Sequence, residues 1–63
     1  MIDRFLRRKE VEAATGLSKP TIYRRMGEGT FPSPVAIGLR AVAWRESDVV
    51  AWQQQQLAKP LAA

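Results

Sequence analysis

The feature that most constrains this chain is the run Thr15-Gly16-Leu17-Ser18-Lys19-Pro20. It sets a helix stop and a helix start almost back to back. Gly16 can take the positive φ that closes a helix, a conformation other residues adopt only at a cost. Ser18 is a strong N-cap, and its hydroxyl can reach the Thr21 amide. Pro20 then falls in the first turn of the next helix, where a missing N–H is harmless. Proline also disfavours helical angles at Lys19, which leaves open a start one residue later. The chain must break and restart here, so any helices on the two sides form a tight pair.

Both helices are readable. Residues 9–15 form the first, with Glu10 and Glu12 in its first turn, at the positive end of the helix dipole. Val11 and Ala14 share a face, and Leu6 precedes them. Arg8 falls at the N-cap and caps poorly, so this end is expected to fray. In the second helix Ile22 and Met26, four apart, form the inward stripe. At about 100° per residue, Pro20, Arg24 and Gly27 fall opposite, flanked by Thr21 and Tyr23. Gly27 costs about 1 kcal/mol against alanine inside a helix, and Gly29 is the better stop. Phe31 is expected to staple the end of this helix.

Pro32 and Pro34 bracket one residue and exclude helix there. Apolar residues then alternate at Val35 and Ile37, and again at Val42 and Trp44, around Gly38-Leu39-Arg40. This predicts a two-stranded hairpin with Pro34 at an edge. Arg45-Glu46-Ser47-Asp48 opens a third helix with Val49, Trp52 and Gln56 along one face and Val50, Gln53 and Leu57 beside it; Pro60 ends it. The glutamines at 53–56 read as solvated helix surface. The expected core is Val11, Leu17, Ile22, Met26, Val35, Ile37, Val42, Trp44, Val49 and Trp52. The fold class is small α+β, a winged helix-turn-helix: one domain over residues 1–63, with its core at about 4–57 and a frayed end at 58–63.

Composition narrows the function. The 63 residues contain no cysteine and no histidine. The usual zinc, haem and iron–sulfur ligand sets are missing, as are thiol chemistry and histidine-based acid/base pairs. Ser18, Ser33 and Ser47 have no evident base. Neither enzyme activity, a cofactor, a metal nor a small-molecule substrate is expected. No apolar run approaches the ~18–20 residues of a membrane span, and the N-terminus lacks a signal-peptide pattern, so a cytoplasmic location is the default. A chain this short buries only about 60% of its unfolded surface, so nearly every apolar residue must serve the core.

The ten Lys and Arg exceed the six Asp and Glu by +4, and the whole excess lies in residues 1–25. Such asymmetry points to a polyanion, nucleic acid ahead of an anionic membrane. In a helix-turn-helix the second helix enters the major groove of duplex DNA with its N-terminal residues toward the bases. The candidate contacts there are Lys19, Pro20, Thr21, Tyr23, Arg24 and Arg25. Arginine and lysine read guanine or grip phosphate, threonine can touch a thymine methyl, and tyrosine can donate to phosphate. Arg40, at the wing tip, could sit beside the sugar–phosphate backbone. Arg7 and Arg8 are either phosphate contacts or solvated charges. Arg45 either meets a phosphate or pairs with an acid of the third helix.

The motifs Leu6-Arg7, Glu10-Val11, Thr15-Gly16-Leu17-Ser18, Thr21-Ile22-Tyr23-Arg24, Glu28-Gly29, Phe31-Pro32-Ser33-Pro34-Val35, Gly38 and Val42-Ala43-Trp44-Arg45 stand in an order and spacing that resembles the AlpA-type prophage regulators. These belong to a wider group of MerR-like winged-helix regulators and excisionases. The resemblance covers about residues 4–57. It implies a DNA-binding winged helix-turn-helix that controls prophage genes or acts as an excisionase, a recombination directionality factor working with an integrase. It also implies where this chain departs: a basic residue is usual at the positions of Gly27 and Thr30, and an apolar one at Arg25. Arg25 then offers a phosphate contact from a new angle. One copy covers one half-site, so a second copy or an integrase is the expected partner on DNA. A protein–protein adaptor built on the same scaffold, presenting Trp52 and the glutamine-rich face, is the competing class.

Overall fold

A computed structural model describes residues 2–59. In chain order the elements are β1 (Phe5–Leu6), α1 (Arg8–Thr15), α2 (Lys19–Glu28), β2 (Val35–Gly38), β3 (Ala41–Arg45) and α3 (Glu46–Ala58). The strands form one antiparallel sheet in the order β1-β3-β2. The helix-turn-helix, hairpin and third helix therefore stand as expected, and the fold is a winged helix-turn-helix.

The helix ends follow from their residues. Gly16 takes φ +76°, and its N–H donates to the Glu12 carbonyl at 2.8 Å, the simple left-handed cap. Ser18 caps α2 by accepting the Thr21 N–H, and the helix starts at Lys19 despite the following proline. At the far end Gly29, also at φ +76°, donates to the Met26 carbonyl, while the Thr30 N–H donates to the Arg25 carbonyl at 2.9 Å. That double closure is a Schellman motif. The expectation of a frayed α1 start at Arg8 is corrected. The N-cap is Arg7, and the Glu10 carboxylate reaches back to accept the Arg7 N–H at 3.0 Å.

The third strand was not foreseen. Phe5 pairs with Arg45 and Leu6 with Trp44, and the Glu46 N–H extends the ladder by donating to the Arg4 carbonyl at 2.7 Å. This puts Asp3 over the start of α3, whose own N-cap, Arg45, provides no side-chain acceptor. Asp3 Oδ1 accepts the Ser47 N–H at 3.1 Å and Oδ2 accepts the Ser47 hydroxyl at 2.6 Å. A carboxylate 44 residues upstream thus does the work of the missing cap.

Those bonds favour the ionised form. The Ser47 hydroxyl lowers the Asp3 pKa most, desolvation opposes it, and the Ser47 amide and then the Arg45 charge add to the lowering. A group whose pKa falls on folding stabilises the fold in full above about pH 5 and loses that contribution as pH drops through the ordinary carboxylate value of about 3.9 toward the lowered one. Asp3→Asn is therefore expected to lower the thermal midpoint at neutral pH, with the two proteins converging in acid. Midpoints that coincide at every pH would exclude the cap.

The core cluster joins Leu6, Val11, Ile22, Phe31, Trp44, Val49 and Trp52, with Leu17 and Met26 half-buried against it. Trp44, Ile22 and Val11 are fully enclosed. Both indole N–H groups are used. Trp44 donates to the Pro32 carbonyl at 2.8 Å and Trp52 to the Thr30 carbonyl at 3.1 Å. Together they fasten the loop that leads out of α2. Phe31 does more than staple α2: it meets Trp52 of α3 edge to face, with ring centroids 5.0 Å apart.

Three expected core residues lie elsewhere. Val35 is only half-buried, and Ile37 and Val42 are exposed. Ala43 and Trp44 are the buried residues of β3, and toward the turn from Val42 the hairpin is exposed, so alternation there marks a strand without a cover. Ala14, expected beside Val11, is exposed too. The third helix continues through Ala58, short of the expected fraying there; Pro60 and the rest of the expected tail lie outside the described residues.

Candidate nucleic-acid interface

Burial of Ile22, with Met26 half-buried behind it, fixes how α2 is turned. Lys19, Pro20, Tyr23, Arg24 and Gly27 are left on its exposed side. Thr21 is half-buried, and its hydroxyl oxygen accepts from the Ser18 hydroxyl at 2.9 Å, so its own proton stays free to donate outward. Arg25 is half-buried at the edge of this face.

The wing comes alongside. Its register pairs Val35 with Ala43, Ala36 with Val42, and Gly38 with Ala41, with an irregularity between Ala36 and Gly38. Leu39 and Arg40 form the turn, and neither has positive φ. A turn of that kind does not match strand twist as the primed types do, and the irregularity beside it absorbs the mismatch.

The wing, α2 and the start of α1 enclose an open cleft of about 420 Å³, lined by Arg7, Arg8, Lys9, Tyr23, Arg40 and Val42. Four cations thus ring one tyrosine. Among the described residues Arg7, Lys9 and Arg40 have no carboxylate partner, while Arg8 pairs with Glu12 at 3.3 Å. Arg7, Arg8 and Lys9 also occupy the N-cap and first turn of α1, where the positive end of the helix dipole repels cations. Folding gains little from that placement. It gives a strongly positive concavity suited to an anion.

Of the residues singled out from the sequence, Arg7, Arg8, Tyr23 and Arg40 are brought together here. Lys19, Pro20, Thr21, Arg24 and Arg25 lie along α2 outside the cleft lining. Arg45 is engaged elsewhere: its Nε and Nη2 fork onto the Asp48 carboxylate at 3.1 and 3.0 Å. That carboxylate raises the guanidinium pKa further, by hydrogen bonding first and by charge second. Arg4, at the end of the sheet, bridges Glu10 at 2.8 Å and Glu46 at 3.9 Å. Lys9, not among the residues singled out from the sequence, lines the same cleft. Its signal was present in the unbroken run Arg7-Arg8-Lys9.

The fold is thus a winged helix-turn-helix in which, among the described residues, three cations without a carboxylate partner, Arg7, Lys9 and Arg40, gather between the wing and the helix pair. A family described as "Prophage CP4-57 regulatory protein (AlpA)" matches residues 4–57. The chain belongs to this AlpA family of prophage regulatory proteins. It is also similar to an uncharacterized protein, ORF88, of Enterobacteria phage P4, with 45% identity over 56 residues. That alignment takes in 89% of this chain and 64% of the phage protein, so the chain spans a little under two thirds of that relative's length.

Proposed function

We propose that this protein binds duplex DNA sequence-specifically and acts as a prophage-type transcriptional regulator. The observation that carries this reading is the cleft in which Arg7, Lys9 and Arg40, none with a carboxylate partner among the described residues, surround Tyr23. With α2 in the major groove, Arg24 and Lys19 reach base edges and Thr21 offers a methyl and a hydroxyl. The Tyr23 hydroxyl donates to phosphate, and Arg7, Lys9 and Arg40 clamp the backbone on either side of the helix. Arg25 reaches a phosphate from the edge of the face. Arg8 and Arg45 would exchange Glu12 and Asp48 for phosphate only in the complex, and otherwise hold their own elements in place. One such footprint covers a single half-site. A second copy, or an integrase in an excisionase role, fills the other.

The test is binding to a duplex selected by the protein from a random library, and to a scrambled version, across a salt series. If about five phosphates are neutralised, log K falls against log[salt] with a slope of about −4 to −5. Arg24→Ala is expected to lose about 1–3 kcal/mol on the selected duplex and little on the scrambled one. Equal, salt-independent affinities for both duplexes would sink the reading.

A further inference from the structure

The wing tip holds a residue that folding does not explain. Leu39 is 95% exposed, at the apex of a two-residue turn. Such turns favour glycine, asparagine, aspartate and serine, which either adopt the needed angles or bond their own backbone. Leucine does neither, and this one packs against nothing. A lone exposed leucine on a flat surface would need no account. Leu39 differs by its place. It stands at the end of a paired ribbon, next to Arg40, which has no carboxylate partner among the described residues and lines the basic cleft with Tyr23 of α2.

On the DNA-binding reading just given, on which this inference rests, the tip and α2 face the same duplex. We propose that Leu39 is an apolar wedge. With α2 in the major groove, the tip enters the neighbouring minor groove. There the Arg40 guanidinium meets the negative potential of the groove and the Leu39 side chain enters between two base pairs. Apolar side chains placed this way unstack a step and kink the duplex away from the protein, toward the major groove. The ribbon holds the tip in place: Val35 pairs with Ala43 and Ala36 with Val42, and after the irregularity at Ile37 the Gly38–Ala41 pair closes the ladder directly below the turn. The step that opens is expected to be a pyrimidine–purine step, which is the easiest to unstack. Leu39 thereby adds a preference at a position no hydrogen bond reads.

The experiment uses the intact chain and a short duplex recovered from a random library. Fluorophores at the two ends report bending, and a fluorescent base analogue at successive steps reports unstacking. The wild-type protein is expected to bend the duplex by about 20–90° and to brighten the analogue at one step. Leu39→Asn is expected to halve the bend at least and to abolish the brightening, while Leu39→Met keeps both. A mismatch placed at the same step pre-opens it and is expected to restore Leu39→Asn to wild-type affinity. Wild-type binding without a bend, or an unchanged bend in Leu39→Asn, overturns the wedge and leaves the DNA-binding reading standing. A protein that binds no duplex overturns both. The leucine is so exposed that neither variant endangers the fold.

Discussion

Replacing Trp44 by alanine is expected to bring the domain to the margin of stability at room temperature. The indole is fully enclosed, and it sits on the central strand of the sheet between Leu6 on one neighbour and the loop out of α2. Truncating a buried tryptophan to alanine costs about 3–5 kcal/mol. A chain of this size has roughly 3–9 kcal/mol in total. The loss also leaves the Pro32 carbonyl without its donor, which releases the loop carrying Phe31. Trp44→Phe separates the two effects. It keeps most of the apolar contact but removes the N–H, and is expected to cost about 1–3 kcal/mol for the unpaired carbonyl together with part of the lost ring volume. Urea unfolding followed by circular dichroism measures both. An alanine variant with a midpoint near that of the wild type would show that the core is centred elsewhere.

The second large effect is expected from the triple variant Arg7→Gln, Lys9→Gln, Arg40→Gln. Each phosphate contact contributes about 0.9 to the salt slope, so removing three should bring it from about −4 to −5 down to about −2. Affinity is expected to fall by a similar factor on selected and scrambled duplexes, because phosphate contacts carry no sequence information. Arg24→Ala should do the reverse, losing specificity and little of the slope. Stability provides an internal control. Two of the three cations stand at the positive end of the α1 dipole, where each is unfavourable by about 0.3–1 kcal/mol, so the triple variant should unfold at the wild-type temperature or slightly above it. A full wild-type salt slope in a folded triple variant would remove the cleft from the interface.

What the sequence discloses here follows the range of the interaction that decides it. Helix ends are settled by neighbours: Gly16, Ser18 and Gly29 act within a turn, and all three do what their chemistry predicts. The hairpin is legible for the same reason. β1 is not, because two residues carry no period and Phe5-Leu6 becomes a strand only when β3 arrives beside it. Alternation identifies β2 and β3 but does not say how far burial extends along them: Ala43 and Trp44 are buried, whereas Val35 is half-buried and Ile37 and Val42 are exposed. Phe31 was read against its nearest helix, whereas its partner, Trp52, lies on another. For the candidate site, charge along the chain places the basic excess in residues 1–25 but does not say which cations are already paired. Glu12 and Asp48 stand at helical spacing from Arg8 and Arg45, and that spacing was the available clue.

The strap formed by Asp3, Arg4 and β1 is expected to dock late in folding. Its partners are Trp44, Arg45, Glu46 and Ser47, some forty residues further along the chain. The helical pair and the hairpin close over short loops and can form early, whereas docking the strap requires closure over some forty residues. Until then α3 begins without a cap and Trp44 has one flank open. Unfolding should run the same sequence backwards, with the N-terminal strap peeling off before the helix pair loosens.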